Sequence, residues 1–255
     1  MTTNELRNLY VATAKKYLGI KEGSTQHKAI VDRYNSQKKL PRGYRLKYTD
    51  AWCAGFVSSV AIECDLTDII PLEVSCTQMI ALAKKLGIWQ EADNHKAQPG
   101  DLILYDWQDD GKGDNTGAPD HIGIVEEAAK DGYFPVIEGN FENAVKRRWM
   151  KVNGKNIRGF ICPNFASKAT ADLDTLAMEV IGGKWGNNPE RKRKLEAAGH
   201  DYQKVQKRVN QILDRTVDEV IKGKWGNNPE RKQKLKAAGF DPGHIQILVN
   251  EKLRK

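Results

Sequence analysis

The chain has 255 residues, and its contents of 40% hydrophobic and 29% charged residues are ordinary for a globular protein with one large domain or two smaller ones. No apolar run approaches the ~20 residues that a membrane helix needs. Residues 1–7 are polar and lack the apolar core of a secretory signal. These features exclude insertion into a membrane, and we expect the chain to accumulate in the cytoplasm where it is made.

The net charge of +8 is concentrated in the last third of the chain. Residues 172–255 contain 18 lysines and arginines against 12 acidic residues, a net charge of +6, which leaves +2 for residues 1–171. A basic segment favours an anionic partner, whether a nucleic acid, a membrane surface or an acidic polymer.

The first part of the chain has the apolar spacing of helices. Apolar residues recur every three or four positions over residues 4–17, 53–64 and 76–86, and a shorter helix is expected over residues 27–35. Residues 36–49 are polar and contain proline and glycine, which predicts a loop leading into the third helix.

The pattern then changes to the short apolar runs typical of strands. Strands are predicted over residues 102–105, 121–126 and 133–138, with a hairpin turn at Asp131 and Gly132. Residues 145–152 and 157–161 predict a second hairpin around Asn153 and Gly154. Helices followed by an antiparallel sheet predict an α+β domain.

The last third contains an internal repeat with a period of 40 residues. Residues 183–192 recur unchanged as residues 223–232. Asn188 precedes Pro189, which predicts a helix with proline at its first position, and Gly199 is expected to end it. Each repeat is therefore predicted to be an all-α unit of about three short helices.

Cys53 lies where the sequence predicts a helix to begin. With Asp50 as the N-cap, Cys53 would be the third helical residue, where free N–H groups and the helix dipole stabilise a thiolate. A thiolate is the nucleophilic form of cysteine. The alternative is a small buried core residue, since free cysteine is among the most buried residue types.

The other thiols and imidazoles have simpler interpretations. Four cysteines match no zinc spacing and are too few for a disulfide scaffold, so reduced thiols are expected, with Cys64, Cys76 and Cys162 as inert core residues. No partner at ligand spacing is found for four of the five histidines, His27, His95, His200 and His244.

Downstream residues can supply what a cysteine nucleophile requires. His121 opens a predicted strand directly after a loop, so its ring can reach the edge of a cleft. Glu138 and Asn140 are two residues apart, and the period of a strand would place both on one face. In such a set the imidazole takes the thiol proton, and the third group fixes the tautomer and orientation of the ring.

Four blocks, residues 50–57, 99–103, 120–125 and 137–140, together resemble the CHAP family, the cysteine- and histidine-dependent amidohydrolases and peptidases. The resemblance implies a papain-like plan, with Cys53 as nucleophile, His121 as general base and later acid, Glu138 as its orienting group and Asn140 as a fourth polar member. The implied domains are a catalytic domain over residues 1–165, a linker over 166–173, and two wall-binding repeats over 174–213 and 214–253.

The tail resembles the short wall-binding repeats behind the catalytic domains of some phage lysins, and the two resemblances imply a bacteriophage endolysin. The expected reaction is cleavage of a peptidoglycan amide, with an N-acetylmuramoyl-L-alanine amidase slightly favoured over an endopeptidase that cuts the stem or cross-bridge peptide. The protein would wait in the host cytoplasm until a membrane pore releases it to the wall, or act from the virion.

Within the repeats, Trp185 and Trp225 offer faces for sugar rings, while Arg191 and Arg231 offer planar hydrogen bonds to carboxylate and acetamido groups. The arginines are favoured as ligand contacts, because the tryptophans are also expected to serve partly as core. Peptidoglycan is the expected partner, without nucleic acid or membrane insertion. The alternative from another class is a non-catalytic binder of an anionic polymer, and the oligomeric state stays open.

No cofactor is expected to be required, although an acidic loop suggests a calcium site. The loop contains Asp106, Asp109, Asp110 and Asp114 around Gly111, but Gly117 stands where an EF-hand loop has its closing glutamate. Calcium at this loop is one interpretation, and a solvated loop beside the site is the other.

Overall fold

A computed structural model of the protein describes residues 1–109 and 117–254. The chain divides into two units, one formed by Thr2–Lys168 and the other by the residues from Ala169 onwards. Helix α5 (Phe165–Ile181) includes the point of division, so residues 166–173, expected as a linker, are helical. No helix among the described residues is long and apolar enough to span a membrane.

The first unit contains four helices and one antiparallel sheet. The helices are α1 (Thr3–Lys15), α2 (Thr25–Asn35), α3 (Cys53–Glu63) and α4 (Cys76–Leu86). The strands are β1 (Trp89–Gln90), β2 (Leu102–Tyr105), β3 (His121–Val125), β4 (Tyr133–Phe141), β5 (Ala144–Lys151) and β6 (Ile157–Ile161). Helices followed by a sheet confirm the α+β prediction.

The sheet has the order β1-β6-β2-β3-β4-β5, and every neighbouring pair is antiparallel. The hairpin predicted between residues 121–126 and 133–138 is confirmed, because β3 pairs with β4. The second predicted hairpin is wrong. Strand β5 pairs with β4 at one side of the sheet, while β6 crosses to pair with β1 and β2.

Helix α3 packs directly on the sheet and is buried along most of its length. Its residues 53–61 are all buried, which is possible because they are almost entirely apolar or small. The approach to β4 is close: a Cβ added to Gly139 would lie 2.4 Å from the Cβ of Phe56. Glycine at this position therefore lets the start of α3 lie against β3 and β4.

The second unit contains the repeats, whose helices are α6 (Glu190–Ala197), α7 (Tyr202–Ile221), α8 (Glu230–Ala237) and α9 (Pro242–Leu253), together with the end of α5. The helical prediction is confirmed, with one difference. The last helix of the first repeat and the first helix of the second are one continuous 20-residue helix, α7. In addition, Pro189 is the N-cap of α6 rather than its first residue.

Candidate active site

Cys53 is the first residue of α3, so the expectation that Asp50 caps this helix is wrong. Trp52 occupies the N-cap position without a side-chain hydrogen bond, while Asp50 Oδ2 accepts from the Lys47 amide and the Tyr44 hydroxyl, each at 2.8 Å. Cys53 still lies in the first turn, where amide groups lack helical partners, and the Ala54 amide hydrogen bonds to its sulfur. The helix therefore still favours a thiolate.

His121 begins β3 and links the thiol to a carboxylate. Its Nε2 lies 3.1 Å from Oε2 of Glu138, and its ring also hydrogen bonds to the Cys53 side chain. Since Nε2 is occupied by Glu138, Nδ1 is the nitrogen left for the thiol. Three residues from a helix and two strands thus form one connected chain, in the order that the sequence predicted.

Glu138 is fully buried in β4 and accepts hydrogen bonds from three side chains. Besides His121, these are the Tyr105 hydroxyl at 2.6 Å and Nε of Arg148 at 2.8 Å and 3.1 Å. A buried carboxylate needs such partners to remain ionised.

Sequence reasoning missed Tyr105 and Arg148. Tyr105 is directly opposite His121 in the β2–β3 pairing, and Arg148 lies on β5, the strand paired with β4. The sequence did contain a signal for Arg148. A basic residue within a strand of alternating inward and outward residues indicates an ion pair when the neighbouring strand has a buried glutamate.

The pKa values of the three groups favour a thiolate–imidazolium pair. Burial lowers the pKa of His121, but hydrogen bonds to Cys53 and Glu138 outweigh it and raise the value to about 9. Burial would raise the pKa of Glu138, yet the hydrogen bonds from His121 and Arg148 hold it below its ordinary value. A hydrogen bond from Cys76, assisted by His121, lowers the pKa of the Cys53 thiol well below its ordinary value despite burial.

Aromatic side chains cover one side of this ion-pair network. The Arg148 guanidinium lies over the rings of Phe141, at 3.9 Å, and Trp107, at 5.3 Å. Trp107 stacks on Tyr105, and its ring centre lies 6.0 Å from that of His121. Because Trp107 is 42% exposed, its ring forms part of the accessible surface beside the imidazole.

Asn140 does not join the network. The β4–β5 register shifts between Glu138 and Phe141, and Asn140 has a φ of 58°, so the regular alternation of a strand does not apply here. Among the described residues, no hydrogen bond connects Asn140 with Cys53 or His121. The argument that placed Glu138 and Asn140 on one face is therefore wrong in its geometry.

Two of the cysteines expected to be inert have polar neighbours. Cys76 begins α4, and its Sγ lies 3.9 Å from that of Cys53. Cys162 Sγ and Asp101 Oδ2 each lie 3.4 Å from Nε2 of His95. His95 therefore has two polar partners, although the sequence indicated none.

The cluster of His95, Asp101 and Cys162 is the only group of potential metal ligands found among the described residues. Asp101 already accepts a hydrogen bond from Nη1 of Arg7 at 2.9 Å and another from the Gln98 amide at 2.9 Å. A guanidinium at this distance opposes the binding of a metal cation, so the cluster is better suited to a structural role.

The calcium interpretation concerns a loop that the structure describes only in part. Asp106 accepts from the Gln108 amide, and Asp109 accepts from the Asn156 amide, so both have backbone partners. Asp110 and Asp114 lie outside the described residues. Calcium at this loop therefore stays a prediction.

In the repeats, the two tryptophans pack against the core. Trp185 and Trp225 are only partly exposed and adjoin the buried cluster of the second unit. Their indole N–H groups donate to Glu179 and Glu219 at 3.0 Å and 3.1 Å. The expectation that they serve partly as core agrees with this packing.

The two arginines have matching polar neighbours that the sequence reasoning missed. Arg231 Nη2 donates to Gln246 at 2.8 Å, and Gln246 donates to Asn250 at 2.9 Å. Forty residues earlier, Arg191 Nη1 lies 3.5 Å from Gln206 Oε1, and Gln206 donates to Asn210 at 3.0 Å. The signal was the retention of these residue types in both copies. A cleft of about 520 Å³ is lined by Arg231, Gln246 and Asn250 among others.

A thiol beside an imidazole whose second nitrogen is held by a buried carboxylate can generate a thiolate nucleophile, which is the chemistry of cysteine hydrolases. Comparison with protein families agrees with this class: residues 43–140 match the CHAP domain. Residues 174–213 and 214–253 each match the CW_7 repeat. The chain therefore contains a CHAP domain followed by two CW_7 repeats, which confirms the resemblance found in the sequence. No curated protein matches the chain.

These domains define the general activity. A CHAP domain with cell-wall-binding repeats is a peptidoglycan hydrolase, either an amidase or an endopeptidase, and its repeats direct it to the cell wall.

Proposed function

We propose that this chain cleaves an amide bond of peptidoglycan with Cys53 as nucleophile, His121 as general base and acid, and Glu138 as the group that orients His121. The observation that supports this proposal is the hydrogen bond of 3.1 Å between His121 Nε2 and the fully buried Glu138. It holds the ring with its other nitrogen available to the thiol.

The proposed reaction has two halves. The Cys53 thiolate attacks the amide carbonyl carbon, and the imidazolium of His121 gives its proton to the departing amine nitrogen, which leaves a thioester on Cys53. His121 then takes a proton from water as the water attacks the thioester, and the sulfur departs as a thiolate, which restores the thiolate–imidazolium pair. Glu138 stays ionised throughout and stabilises the imidazolium, with Arg148 and Tyr105 holding the carboxylate in place.

Within this activity, we favour the N-acetylmuramoyl-L-alanine bond over a bond in the stem or cross-bridge peptide. All of these bonds are amides, and the same thiol chemistry cuts them. Mass spectrometry of digested peptidoglycan distinguishes the two. New N-termini at the first alanine of the stem support the amidase, whereas new N-termini within the stem or cross-bridge refute it in favour of the endopeptidase.

The proposed wall contacts are the matching networks around Arg191 and Arg231. Guanidinium and amide groups form planar hydrogen bonds with carboxylates and acetamido groups, both of which occur in peptidoglycan. The basic charge of this segment favours approach to an anionic wall. Two copies of one weak site on a single chain raise the effective concentration of the enzyme at a polymer. We extend the proposal to the biological role of a bacteriophage endolysin, on the basis of the domain order.

The central experiment replaces Cys53 by alanine and measures both hydrolysis and wall binding. We expect solubilisation of purified peptidoglycan to be abolished, while sedimentation of the protein with intact walls is retained. Cys64→Ser is the matched control, because Cys64 is also a buried thiol at the other end of α3. Retained turnover by Cys53→Ala would overturn the assignment of the nucleophile.

The basic repeats also support a second candidate, a non-catalytic binder of an anionic polymer, because they hold a net charge of +6 over residues 172–255. Phosphate binding depends steeply on salt. A duplex DNA shift assay at moderate salt, together with absent hydrolysis, would favour this candidate, whereas hydrolysis without a DNA shift favours the enzyme.

A further inference from the structure

Two cysteines meet at the candidate nucleophile. The sulfurs of Cys53 and Cys76 are 3.9 Å apart, and the two residues are only 6% and 9% exposed. Each is the first residue of a helix, α3 for Cys53 and α4 for Cys76, and the Ser75 side chain caps the second helix. The positive ends of two helix dipoles therefore converge on one pair of sulfur atoms.

The two thiols are electronically unequal. The hydrogen bond between them is the largest influence that lowers the pKa of Cys53, and the same contact raises the pKa of Cys76 well above its ordinary value. His121 faces Cys53 and supplies a further cation. Cys53 is thus the thiol of the pair that ionises more readily, and Cys76 is the protonated thiol beside it. Thiolates are the form of cysteine that peroxides oxidise.

We propose that Cys53 and Cys76 form a reversible redox pair, in which Cys76 resolves the oxidised form of Cys53 as an intramolecular disulfide. This inference goes beyond the hydrolytic function, and its main readout is a mass rather than an activity. The oxidant class is a peroxide, and the reductant class is a low-molecular-weight thiol.

The two steps balance as follows. The Cys53 thiolate attacks one oxygen of hydrogen peroxide and the O–O bond breaks, which gives a sulfenic acid and hydroxide. The Cys76 thiol then loses its proton to that hydroxide, and its sulfur attacks the Cys53 sulfur. The S–O bond breaks, and the departing hydroxide takes a proton from the solvent. Two thiols are oxidised, one peroxide is reduced, and two waters form.

Distance and ionisation both favour this reaction at Cys53 and Cys76 over the other two cysteines of the chain. A disulfide is about 2.05 Å long, so the sulfurs of Cys53 and Cys76 must approach by about 1.9 Å. Burial raises the pKa of Cys64, and burial raises the pKa of Cys162 to about 12, so neither is a thiolate at neutral pH. Selective oxidation at Cys53, followed by capture by Cys76, is the expected order.

The experiment treats the full-length protein with a few equivalents of hydrogen peroxide at neutral pH, blocks free thiols under denaturing conditions, and measures intact mass. We expect the oxidised protein to carry two fewer blocking groups than the untreated protein, apart from the loss of two hydrogens (about 2 Da) in the disulfide, and dithiothreitol to restore both thiols. Trypsin leaves all three of Cys53, Cys64 and Cys76 in one peptide, since residues 48–83 contain no lysine or arginine. A glutamate-specific protease that cuts after Glu63 and Glu73 separates them and identifies the pair.

Variants at the other cysteines provide the controls. In Cys76→Ser, peroxide should drive Cys53 to the sulfinic acid, a gain of about 32 Da that dithiothreitol does not reverse. Cys64→Ser should behave as the parent protein. Where hydrolysis is measurable, dithiothreitol should restore the activity of the peroxide-treated parent protein and of Cys64→Ser. It should not restore the activity of peroxide-treated Cys76→Ser.

Three outcomes would overturn the inference. These are a disulfide that includes Cys64, equal sulfinic acid formation with and without Cys76, or unchanged thiols at Cys53 after exposure. If Cys76→Ser fails to fold, the peptide map of the parent protein still shows whether Cys53 and Cys76 form the disulfide. A protein that forms the disulfide but hydrolyses no peptidoglycan would support the redox pair and refute the proposed function.

Discussion

Replacing Glu138 by glutamine tests the centre of the proposed site, because it removes one charge and keeps the shape of the side chain. In the parent protein the carboxylate accepts from His121, Tyr105 and Arg148. A glutamine has one acceptor oxygen and an amide group that can only donate. If the oxygen stays toward His121, the amide can donate to Tyr105, whose hydroxyl can also accept, but Arg148 loses its counter-ion.

The expected loss of stability follows from burial. Removing one partner of a buried ion pair costs about 3–5 kcal/mol, and the lower value applies here because Arg148 is 26% exposed. In a domain of this size, about 3 kcal/mol corresponds to a fall in melting temperature of roughly 6–12 °C. The rate of hydrolysis should fall by about 10²–10⁴-fold, because the neutral group no longer stabilises the imidazolium.

The assay measures initial rates of peptidoglycan solubilisation at a temperature well below the melting point of the variant, so that catalysis is separated from unfolding. Glu142→Gln is the matched control, because Glu142 lies in the same hairpin and its side chain is 70% exposed. An activity of Glu138→Gln within threefold of the parent, with an unchanged melting temperature, would refute the role of the carboxylate.

Three further predictions concern pH, packing and wall binding. The pKa of His121 is raised from 6.5 to about 9, so protonated His121 stabilises the folded protein fully below about pH 6.5, and this stabilisation is lost as the pH rises through 9. The melting temperature should therefore fall over this pH range, and it should fall less in His121→Gln. Gly139→Ala should destabilise the protein by about 1–3 kcal/mol in denaturant unfolding, because its Cβ would overlap Phe56, and a parental stability would contradict this packing. Arg231→Ala should weaken sedimentation with walls by about tenfold relative to Lys236→Ala, which removes the same charge outside the network; equal losses would indicate a general charge effect.

Local signals in the sequence predicted most of the elements. The helix at Cys76–Leu86 has a serine N-cap and ends at Gly87 in the left-handed conformation, and its predicted bounds are those observed. The strands at Leu102–Tyr105 and Ile157–Ile161 were likewise predicted without error. These features depend on residues that are neighbours in the chain, so the sequence alone contains the information.

The sequence patterns did not predict which strands pair when they are far apart in the chain. The turn at Asn153 and Gly154 suggested that β5 pairs with β6, but β6 pairs with β1 and β2 instead. A turn motif reports only that the chain changes direction. Which edge a strand joins is decided by the burial of its side chains against the rest of the sheet, and β6 is buried at every position.

For the candidate site, the sequence by itself determined the order of Cys53, His121 and Glu138 and the existence of two repeats that share an unchanged ten-residue segment, because motif spacing and period are properties of the chain. Only the tertiary structure brought Arg148 and Tyr105 to Glu138 and Cys76 to Cys53. These contacts join residues up to 33 positions apart on different elements, and their distances depend on strand register and on where each helix begins. The same dependence removed Asn140 from the network, since a single register shift in β4 changes the direction of the side chains that follow.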